Sequence, residues 1–390
     1  MMGAYGSRQF EGGDAGSMTA SAQSAPFPSV SVVVPTYMEA DNIPLLVDRV
    51  SRVRDERHLD LELLIMDDDS NDGIEAVVHG LEKPWVRLVV RKENRGLSPA
   101  VLDGMRLAKN DILVCMDADL SHPPEAIPEL LEALSQDYDF AIGSRYVEDG
   151  STDESWGLFR WLNSRVATLL ARPFTRAQDP LSGFFALRRA TFEAAQDLNP
   201  IGYKIGLELI VKARCEFIKE VPIRFSDRKL GESKLTFAEQ LRYLQHLRRL
   251  FIYRYGGWAH FMQFAVVGGM GTLVNLAVLT LLHLVRVPLN ICVAAAILTA
   301  MVFNFGLNRR FTFSYARDGS IARQFLGFAG ASSLGALINY AVTLLFIHQW
   351  AIMERVPQLA ALVGIAAGMA INFGISRHLV FRKPSPPDPT

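Results

Sequence analysis

Cysteine is scarce in this chain, and neither sign of charge dominates. Its cysteines, Cys115, Cys215 and Cys292, are widely separated in apolar surroundings, which indicates reduced packing residues and argues against a disulfide framework or a zinc site. A formal net charge of -1 gives no reason to expect a nucleic-acid partner. Residues 1–28 lack the apolar core of a signal peptide and are rich in Gly, Ser and Ala, so we predict a disordered tail on the cytoplasmic side.

Long apolar runs are present, and they lie in the second part of the chain. Four spans approach the roughly 20 residues that a helix needs to cross a bilayer: 260–285, 289–308, 324–348 and 358–376. Arginines cluster before the first span, between the second and third, and after the fourth. The positive-inside rule therefore predicts four transmembrane helices, with the preceding domain and both chain ends in the cytoplasm. Buried helices of a soluble protein are the alternative.

The apolar part also contains an internal repeat. The run 304–313 recurs as 372–381, an offset of 68 residues (372 − 304 = 68), and Asn275 recurs as Asn339, an offset of 64 (339 − 275 = 64). Two helical hairpins in the same orientation explain both offsets if the outer loops absorb the difference. The asparagines of the repeat, at 275, 304, 339 and 372, should face other helices because an amide facing lipid is costly.

From about residue 29 to 225, apolar strands alternate with amphipathic helical stretches, which predicts an α/β domain with a largely parallel sheet. Polar clusters follow four of the predicted strands, and the carboxyl ends of strands in open sheets line a ligand crevice. We therefore expect the clusters to share one site, although any one alone could be a turn or a helix cap. The predicted strands are Val30–Val34, Leu61–Met66, Val86–Val90, Ile112–Met116 and Phe140–Ile142.

One cluster carries two carboxylates, Asp117 and Asp119, directly after an apolar strand. In a strand, residues i and i+2 point the same way, so we expect both carboxylates to face one site and to hold a hard divalent cation. Such a cation, kept partly hydrated, suits a diphosphate leaving group. A solvated acidic turn is the alternative for the bare Asp-Ala-Asp sequence.

Between the two parts, residues 237–255 place leucines near helical spacing with arginines among them. This pattern predicts a basic amphipathic helix at the membrane surface, and a helix that packs between domains is the alternative. The predicted organisation is a tail (1–28), a cytoplasmic α/β domain (29–235), an interfacial helix and linker (236–257), a transmembrane domain (258–383) and a C-terminal tail (384–390).

An ordered set of motifs closely resembles the polyprenol (dolichol) phosphate mannose synthases, inverting glycosyltransferases of the A-type nucleotide-sugar fold. The resemblance covers about residues 29–240, and the four apolar helices resemble, more loosely, the GtrA-like membrane family. It implies a mostly parallel α/β domain followed by an all-α transmembrane domain of four helices, in a prokaryotic cell membrane. The motifs are Pro35-Thr36-Tyr37-Met38-Glu39, Asp67-Asp68-Asp69-Ser70, Asn94-Arg95-Gly96-Leu97-Ser98, Asp117 to Pro124, Gly143-Ser144-Arg145-Tyr146, Asp179 to Phe184, and Arg228 to Lys234.

The resemblance also implies a role for each matched position. Asp117, Asp119 and Ser121 match a site for Mg²⁺ or Mn²⁺, and Asp117, Asp119 and Arg145 are the implied catalytic residues. The implied donor-binding residues are Pro35, Tyr37, Glu39, Asp67, Asp68 and Asp117. The implied acceptor phosphate-binding residues, rich in the arginine forks that donate two hydrogen bonds to one phosphate, are Arg145, Arg160, Ser164, Arg228 and Lys234.

The implied reaction transfers mannose from GDP-mannose, or a sugar from another nucleotide sugar, to a polyprenyl or dolichyl monophosphate with inversion. A lipid monophosphate has a second pKa near ~6 by analogy with phosphorylated side chains, so it is anionic at pH 7 and needs no catalytic base. We therefore interpret His122, beside the metal motif, as a structural residue of the turn.

Three other functions remain open at this point. A polyprenyl-phosphate glucosyltransferase that uses UDP-glucose is one, because the sequence does not display the sugar pocket. A lipid-linked sugar flippase or assembly partner with a nucleotide-sugar-binding module is another, from a different class. A processive polysaccharide synthase is disfavoured, since no Gln-x-x-Arg-Trp motif follows Asp117.

Overall fold

The computed structural model describes residues 28–152, 158–226 and 237–382, with side chains in the second range from residue 162. The predicted terminal tails lie almost wholly outside these residues. The strands are β1 (Val30–Thr36), β2 (Leu61–Asp67), β3 (Val86–Val90), β4 (Ile112–Cys115), β5 (Phe140–Ser144), β6 (Ser151–Thr152), β7 (Phe185–Arg188), β8 (Ile218–Pro222) and β9 (Arg224–Phe225).

The helices are α1 (Ile43–Glu56), α2 (Ile74–Gly80), α3 (Leu97–Leu107), α4 (Ile127–Ser135), α5 (Leu158–Ala171), α6 (Arg189–Ala194), α7 (Ile205–Lys212), α8 (Phe237–Tyr255), α9 (Gly257–Leu284), α10 (Leu289–Leu307), α11 (Ile321–Gln349), α12 (Ala351–Arg355) and α13 (Pro357–Ile375). The chain divides into two compact units, and the division falls inside α8 between Tyr243 and Leu244. The helix predicted for residues 237–255 is therefore present, but the compact units share it.

The first unit is built on a seven-stranded sheet in the order β3-β2-β1-β4-β7-β5-β8. Neighbouring strands run parallel except around β7, which is antiparallel to both β4 and β5. This is the mostly parallel α/β sheet that the sequence predicts, and all five predicted strands are present. The short pair β6 and β9 forms a separate two-stranded sheet.

Helices cover both faces of this sheet, so its central strands are buried on both sides, as is usual for parallel strands. In β1, Val32 and Val34 pack with the core formed by α1 and α4, while Val33 packs on the opposite face with α3 and α7. Helix α3 approaches the sheet most closely at Gly104, where an added Cβ would lie 2.4 Å from Cγ1 of Val33. The two cores hold the carboxyl ends of β1, β2 and β4 in fixed positions, side by side at one end of the sheet.

The second unit contains four helices long and apolar enough to cross a membrane: Gly257–Leu284, Leu289–Thr312, Ile321–Gln349 and Pro357–Val380. The predicted number of spans is confirmed. The second and fourth helices each end in a π-helical turn, over Asn308–Thr312 and Ser376–Val380, which matches the predicted repeat. The extra turn α12 lies in the connection between α11 and α13, which is longer than the connection between α9 and α10 and accounts for the larger offset.

Three of the four asparagines of the repeat face neighbouring helices, as predicted. Asn304 lies against α9, because a Cβ added at Gly271 would meet its Oδ1 at 2.1 Å. Asn372 donates from Nδ2 to Ser332 Oγ on α11 at 3.3 Å. Asn339 lies against α13, where a Cβ added at Gly364 would meet its Oδ1 at 2.5 Å. Polar groups that would be costly in lipid are thus placed between helices.

Candidate active site

The end of β1 supplies three of the predicted donor-binding residues. Pro35 is buried within the strand, whereas Tyr37 directly after it is 51% exposed. The amide N–H of Met38 donates to Ser70 Oγ at 2.9 Å, which ties this loop to the turn after β2. Glu39 accepts a hydrogen bond from Asn42 Nδ2 at 2.6 Å, at the start of α1. The loop therefore presents an exposed aromatic ring on a fixed backbone.

The predicted donor residues Asp67 and Asp68 both hold the turn after β2. Asp67 is buried and accepts from the Thr36 hydroxyl at 3.1 Å and from the Ser70 amide at 2.9 Å. Asp68 is also buried, and it pairs with Arg91 while accepting from the Gly96 amide at 2.5 Å. Their side chains thus fix the shape of the turn after β2. A nucleotide sugar could contact these carboxylates only through the lone pairs that remain on their oxygens.

Asp117 and Asp119 follow β4, but not in the way the sequence suggests. The strand ends at Cys115, so a turn rather than strand alternation places the two carboxylates. Leu120 sits in this turn with a φ of 62°, a conformation that costs a bulky L residue free energy and is typical of functional sites. Asp119 Oδ1 accepts from the amide and the hydroxyl of Ser121, at 3.1 and 2.6 Å. Asp119 is consequently fixed, while the Asp117 side chain is 28% exposed.

His122 is a packing residue of the same turn. Its Nδ1 accepts a hydrogen bond from the Asp117 amide at 3.1 Å, so the neutral ring carries its proton on Nε2. The ring stacks on Phe184, with centroids 5.4 Å apart, and meets Phe225 edge-on. Burial lowers the pKa of His122, against the opposing charges of Asp117 and Asp119. This neutral, enclosed imidazole fits the structural interpretation of the residue.

The oxygen donors of this turn fit a hard divalent ion. Carboxylate and hydroxyl oxygens from Asp117, Asp119 and Ser121 are the ligands that Mg²⁺ and Mn²⁺ prefer. Within the described ranges, no group of three or more His, Cys, Asp or Glu side chains could hold a metal by itself. An ion here would need oxygens from a substrate, which is how Mg²⁺ commonly binds beside phosphates.

Arg145 follows β5 and is held in place by Asp179. Its Nε and Nη2 donate to Oδ2 and Oδ1 of that carboxylate at 2.7 and 2.8 Å, and its amide donates to Oδ2 at 3.1 Å. Asp179 is fully buried. Glu220 on β8 in turn accepts from the Asp179 amide at 2.9 Å and from the Ser144 hydroxyl at 2.8 Å. The plane of the arginine fork is therefore determined by the sheet.

Ser164 on α5 is brought to the same region through Tyr146. The hydroxyls of Ser164 and Tyr146 lie 2.7 Å apart, and the Tyr146 ring lies under both Arg145 and Arg165. Two of the predicted acceptor residues thus converge. The Arg160 side chain lies outside the described residues, as do Arg228 and Lys234 in their entirety, and their roles stay predictions.

The turn of Asp117 and Asp119 and the ion pair of Arg145 with Asp179 lie at one place in the fold. The charges of Asp117, Asp119, Arg145 and Asp179 all act on the imidazole of His122. A Cβ added at Gly183, four residues after Asp179, would lie 3.2 Å from Cε1 of His122 and 3.4 Å from both carboxylate oxygens of Asp117, so the two motifs are in contact here. The clusters after β4 and β5 therefore lie together.

Three charged residues near this site have roles that the sequence does not reveal. Arg91 opens the polar cluster after β3, but its pairing with Asp68 joins distant segments, and Glu220 on β8 accepts a hydrogen bond from the Asp179 amide. Lys204 precedes α7 and is within electrostatic range of Arg145 and Asp179. Its only sequence signal is a lysine between a Gly-Tyr turn and an apolar helix.

Comparison with known proteins identifies two families along the chain. Residues 31–195 match the model of glycosyl transferase family 2, and residues 263–381 match that of the GtrA/DPMS transmembrane domain. Among solved structures, glucosyl-3-phosphoglycerate synthase of Mycobacterium tuberculosis matches with a TM-score of 0.45 and 22% identity, covering 59% of this chain and 81% of that chain. A similarity at that level does not bear on substrate.

Two relatives are much more similar in sequence. The dolichol-phosphate mannosyltransferase of Pyrococcus furiosus is 38% identical over 361 residues, which cover 90% of this chain and 99% of the relative. The dolichol-phosphate mannosyltransferase of Saccharomyces cerevisiae is 42% identical over 238 residues, covering 58% of this chain and 88% of the relative. The chain therefore belongs to the dolichol-phosphate mannosyltransferase family, as a glycosyltransferase with a family 2 catalytic domain and an integral GtrA/DPMS membrane domain.

Proposed function

We propose that the protein transfers mannose from GDP-mannose to a polyprenyl or dolichyl monophosphate, giving the β-linked mannosyl phosphate lipid and GDP. The observation that supports this most directly is the convergence of the Asp117/Asp119 turn and the Arg145–Asp179 pair around His122. The Asp117/Asp119 turn suits a diphosphate with its metal ion, and Arg145 suits a second phosphate. A transfer between two phosphorylated substrates needs both.

We assign the nucleotide-sugar donor to the carboxyl ends of β1, β2 and β4. Tyr37 presents an exposed ring to the nucleoside, while Pro35, Glu39, Asp67 and Asp68 shape its pocket. Asp117, Asp119 and Ser121 would hold Mg²⁺ or Mn²⁺ at the diphosphate. When bound, the ion supplies Lewis-acid stabilisation of the departing nucleoside diphosphate.

We assign the acceptor phosphate to Arg145 and Ser164, with Arg160, Arg228 and Lys234 as further members of that site. Asp179 fixes the guanidinium plane, so Arg145 can orient a phosphate without reorganising during the reaction. The lipid phosphate is already anionic at pH 7, and neutral His122, with Nδ1 occupied by a backbone donor, is not needed as a base. Attack in line with the departing GDP inverts the anomeric carbon.

We further propose that the catalytic domain and both chain ends are cytoplasmic, in a prokaryotic cell membrane. The arginines that flank the four apolar helices support this orientation. The basic face of α8 would then lie at the membrane surface, where its arginines contact anionic head groups.

The test is a transfer assay with the full chain in detergent micelles, a short polyprenyl phosphate and a panel of GDP-mannose, GDP-glucose and UDP-glucose. We expect mannose transfer from GDP-mannose that stops when EDTA removes the metal and returns with Mg²⁺ or Mn²⁺. The product should show the β configuration by NMR. Preferred transfer from UDP-glucose would instead identify a glucosyltransferase, and an α-linked product would exclude a single displacement.

A further inference from the structure

Lys204 is the last residue before α7, in a segment that the first unit holds firmly. Gly202 adopts a φ of 73°, and its carbonyl accepts a hydrogen bond from the Ser98 hydroxyl on α3 at 2.6 Å. The left-handed glycine turns the chain into the start of α7. Lys204 is half-buried.

The ammonium of Lys204 lies among charges that belong to both halves of the site. It is acted on by Arg145 and Asp179 from the acceptor side, by Asp117 from the metal turn and by Glu239 from α8. Its one hydrogen bond is a long contact of 3.4 Å to the Leu181 carbonyl, and no carboxylate of the described residues pairs with it within 4.0 Å. The lysine is thus close to several carboxylates but paired with none.

Such an arrangement is costly for the protein alone. An ammonium that loses water without gaining an ion pair raises the free energy of the folded state. The loss of water lowers the pKa of Lys204 from its ordinary 10.5 to about 8, although Asp179, Asp117 and Glu239 oppose this. The charge of Asp179 offsets this cost only in part, and both its oxygens already accept hydrogen bonds from Arg145. A perturbed, poorly paired charge in a crevice is typical of a functional group.

We propose that Lys204 binds a substrate phosphate oxygen between the donor and acceptor sites, where it offsets the charge of two anionic substrates brought together. The inference rests on the proposed function. A lysine ammonium is a compact point charge that binds phosphate without demanding a particular plane. The phosphate belongs either to the departing nucleoside diphosphate or to the attacking lipid, and the experiment below separates these sources.

The experiment compares the full-length wild type in detergent with Lys204→Gln, Lys204→Arg and Lys219→Gln. Lys219 on β8 is exposed and lies over the Tyr138 ring, so its variant is the matched control. Calorimetry measures the affinities for GDP with Mn²⁺ and for guanosine, and steady-state kinetics give the KM for a short polyprenyl phosphate. We expect Lys204→Gln to weaken GDP binding or raise the lipid KM roughly 10- to 100-fold, the effect of losing one charged hydrogen bond.

A loss confined to GDP identifies the donor phosphate, and a loss confined to the lipid KM identifies the acceptor. Whichever constant changes, GDP affinity or lipid KM, should depend less steeply on NaCl in Lys204→Gln, because the variant lacks the positive charge. Lys204→Arg keeps the charge and should therefore recover part of the lost affinity. The proposal is overturned if GDP affinity and lipid KM both match the wild type, or if guanosine and GDP weaken equally. Failure of the wild type to bind GDP at all would instead refute the proposed function.

Discussion

Asp179 holds Arg145 through two parallel hydrogen bonds, from Nε to Oδ2 at 2.7 Å and from Nη2 to Oδ1 at 2.8 Å. The carboxylate is fully buried, and the arginine side chain is 12% exposed. A pair of this geometry fixes the guanidinium in one plane. Asp179 is therefore a positioning residue, and its effect should appear in the use of the acceptor.

We expect Asp179→Asn to lower kcat/KM for a short polyprenyl phosphate by about 10- to 100-fold, because an amide cannot hold the guanidinium plane by charge. GDP affinity should change by less than about 2-fold, since Arg145 lies on the acceptor side. Steady-state kinetics and calorimetry measure the two effects. Asp137→Asn, which alters a fully exposed aspartate 3.9 Å from Arg188, is the control that should change neither. An equal loss of GDP affinity would place Arg145 on the donor side.

Asp119→Ala should abolish metal-dependent transfer, by about 100-fold or more, because it removes a carboxylate that the proposed ion requires. Ser121→Ala should cost less, about 10- to 100-fold, since it removes a neutral hydroxyl, which is a weaker ligand than a carboxylate and also orients Asp119 at 2.6 Å. Mn²⁺ titration and the transfer assay measure both. Ser135→Ala, on the exposed part of α4, is the matched control. Near wild-type, metal-dependent transfer by Asp119→Ala would show that the metal site is elsewhere.

Lys204→Met should make the ligand-free protein more stable at pH 7. The pKa of Lys204 is lowered from 10.5 to about 8, so the unfolded chain binds more protons between those values. The wild type therefore gains stability as the pH rises through this window, while the full penalty is present below pH 8. The groups that face the ammonium are Arg145, which lowers its pKa, and Asp179, Asp117 and Glu239, which raise it.

Thermal unfolding of both proteins in detergent, at pH 7 and pH 9, measures this effect. The advantage of the methionine variant should shrink at pH 9. Lower stability of Lys204→Met at pH 7, or a difference that does not change with pH, would show that the ammonium is well paired in the folded state.

Gly368→Ala should destabilise the second membrane hairpin by roughly 1–3 kcal/mol, the usual cost of overpacking. An added Cβ would lie 2.3 Å from the Gly335 carbonyl oxygen, so α11 and α13 would have to separate. Gly374→Ala on the same helix is the control, since nothing lies within 4 Å of its added Cβ. Thermal unfolding in detergent compares the two. Equal midpoints would mean that α11 and α13 do not pack this closely.

Truncation after Tyr255 should retain transfer to a short, soluble polyprenyl phosphate and lose more activity toward a native-length lipid in bilayers. The candidate chemical groups all lie before about residue 240, whereas the later helices offer chiefly Asn, Gly and apolar side chains. The assay uses both acceptors with the truncated and full chains. A truncated protein that binds GDP and metal but transfers to neither acceptor would give the membrane helices a direct role in the chemical step.

The sequence predicts the parallel part of the fold well because buried parallel strands are continuous apolar runs. β1, β2 and β4 are of this kind, and their positions follow from the pattern alone. β7 was not predicted, since its antiparallel insertion between β4 and β5 is decided by pairing across the chain. The edge strand β8 alternates weakly, with Pro222 at its end, and gives little signal.

The candidate site likewise has a part that the sequence predicts and a part that it does not. Motif positions indicate which residues gather, and Asp117, Asp119, Arg145 and Ser164 do lie on one side of the fold. The sequence does not reveal how they are held, because hydrogen bonds between distant segments depend on the folded geometry. Glu220 is 41 residues from Asp179, yet it fixes that residue's backbone. The interpretation of Asp117 and Asp119 as alternating strand residues was wrong, since the strand ends at Cys115 and both residues lie in the turn that follows.

The rings of Phe313 and Phe381 stack face to face, with centroids 4.7 Å apart and planes 13° apart, and both are fully buried. Their backbone amides donate to carbonyls five residues back, at 2.7 and 2.8 Å. They occupy equivalent positions in the two hairpins, so the same residue of each repeat contacts its counterpart here. A contact of this kind is the self-complementary one found on the axis of a symmetric dimer. Within one polypeptide, the second unit thus contains a contact like that between two identical subunits. A substitution at either phenylalanine therefore alters the packing of both hairpins at once.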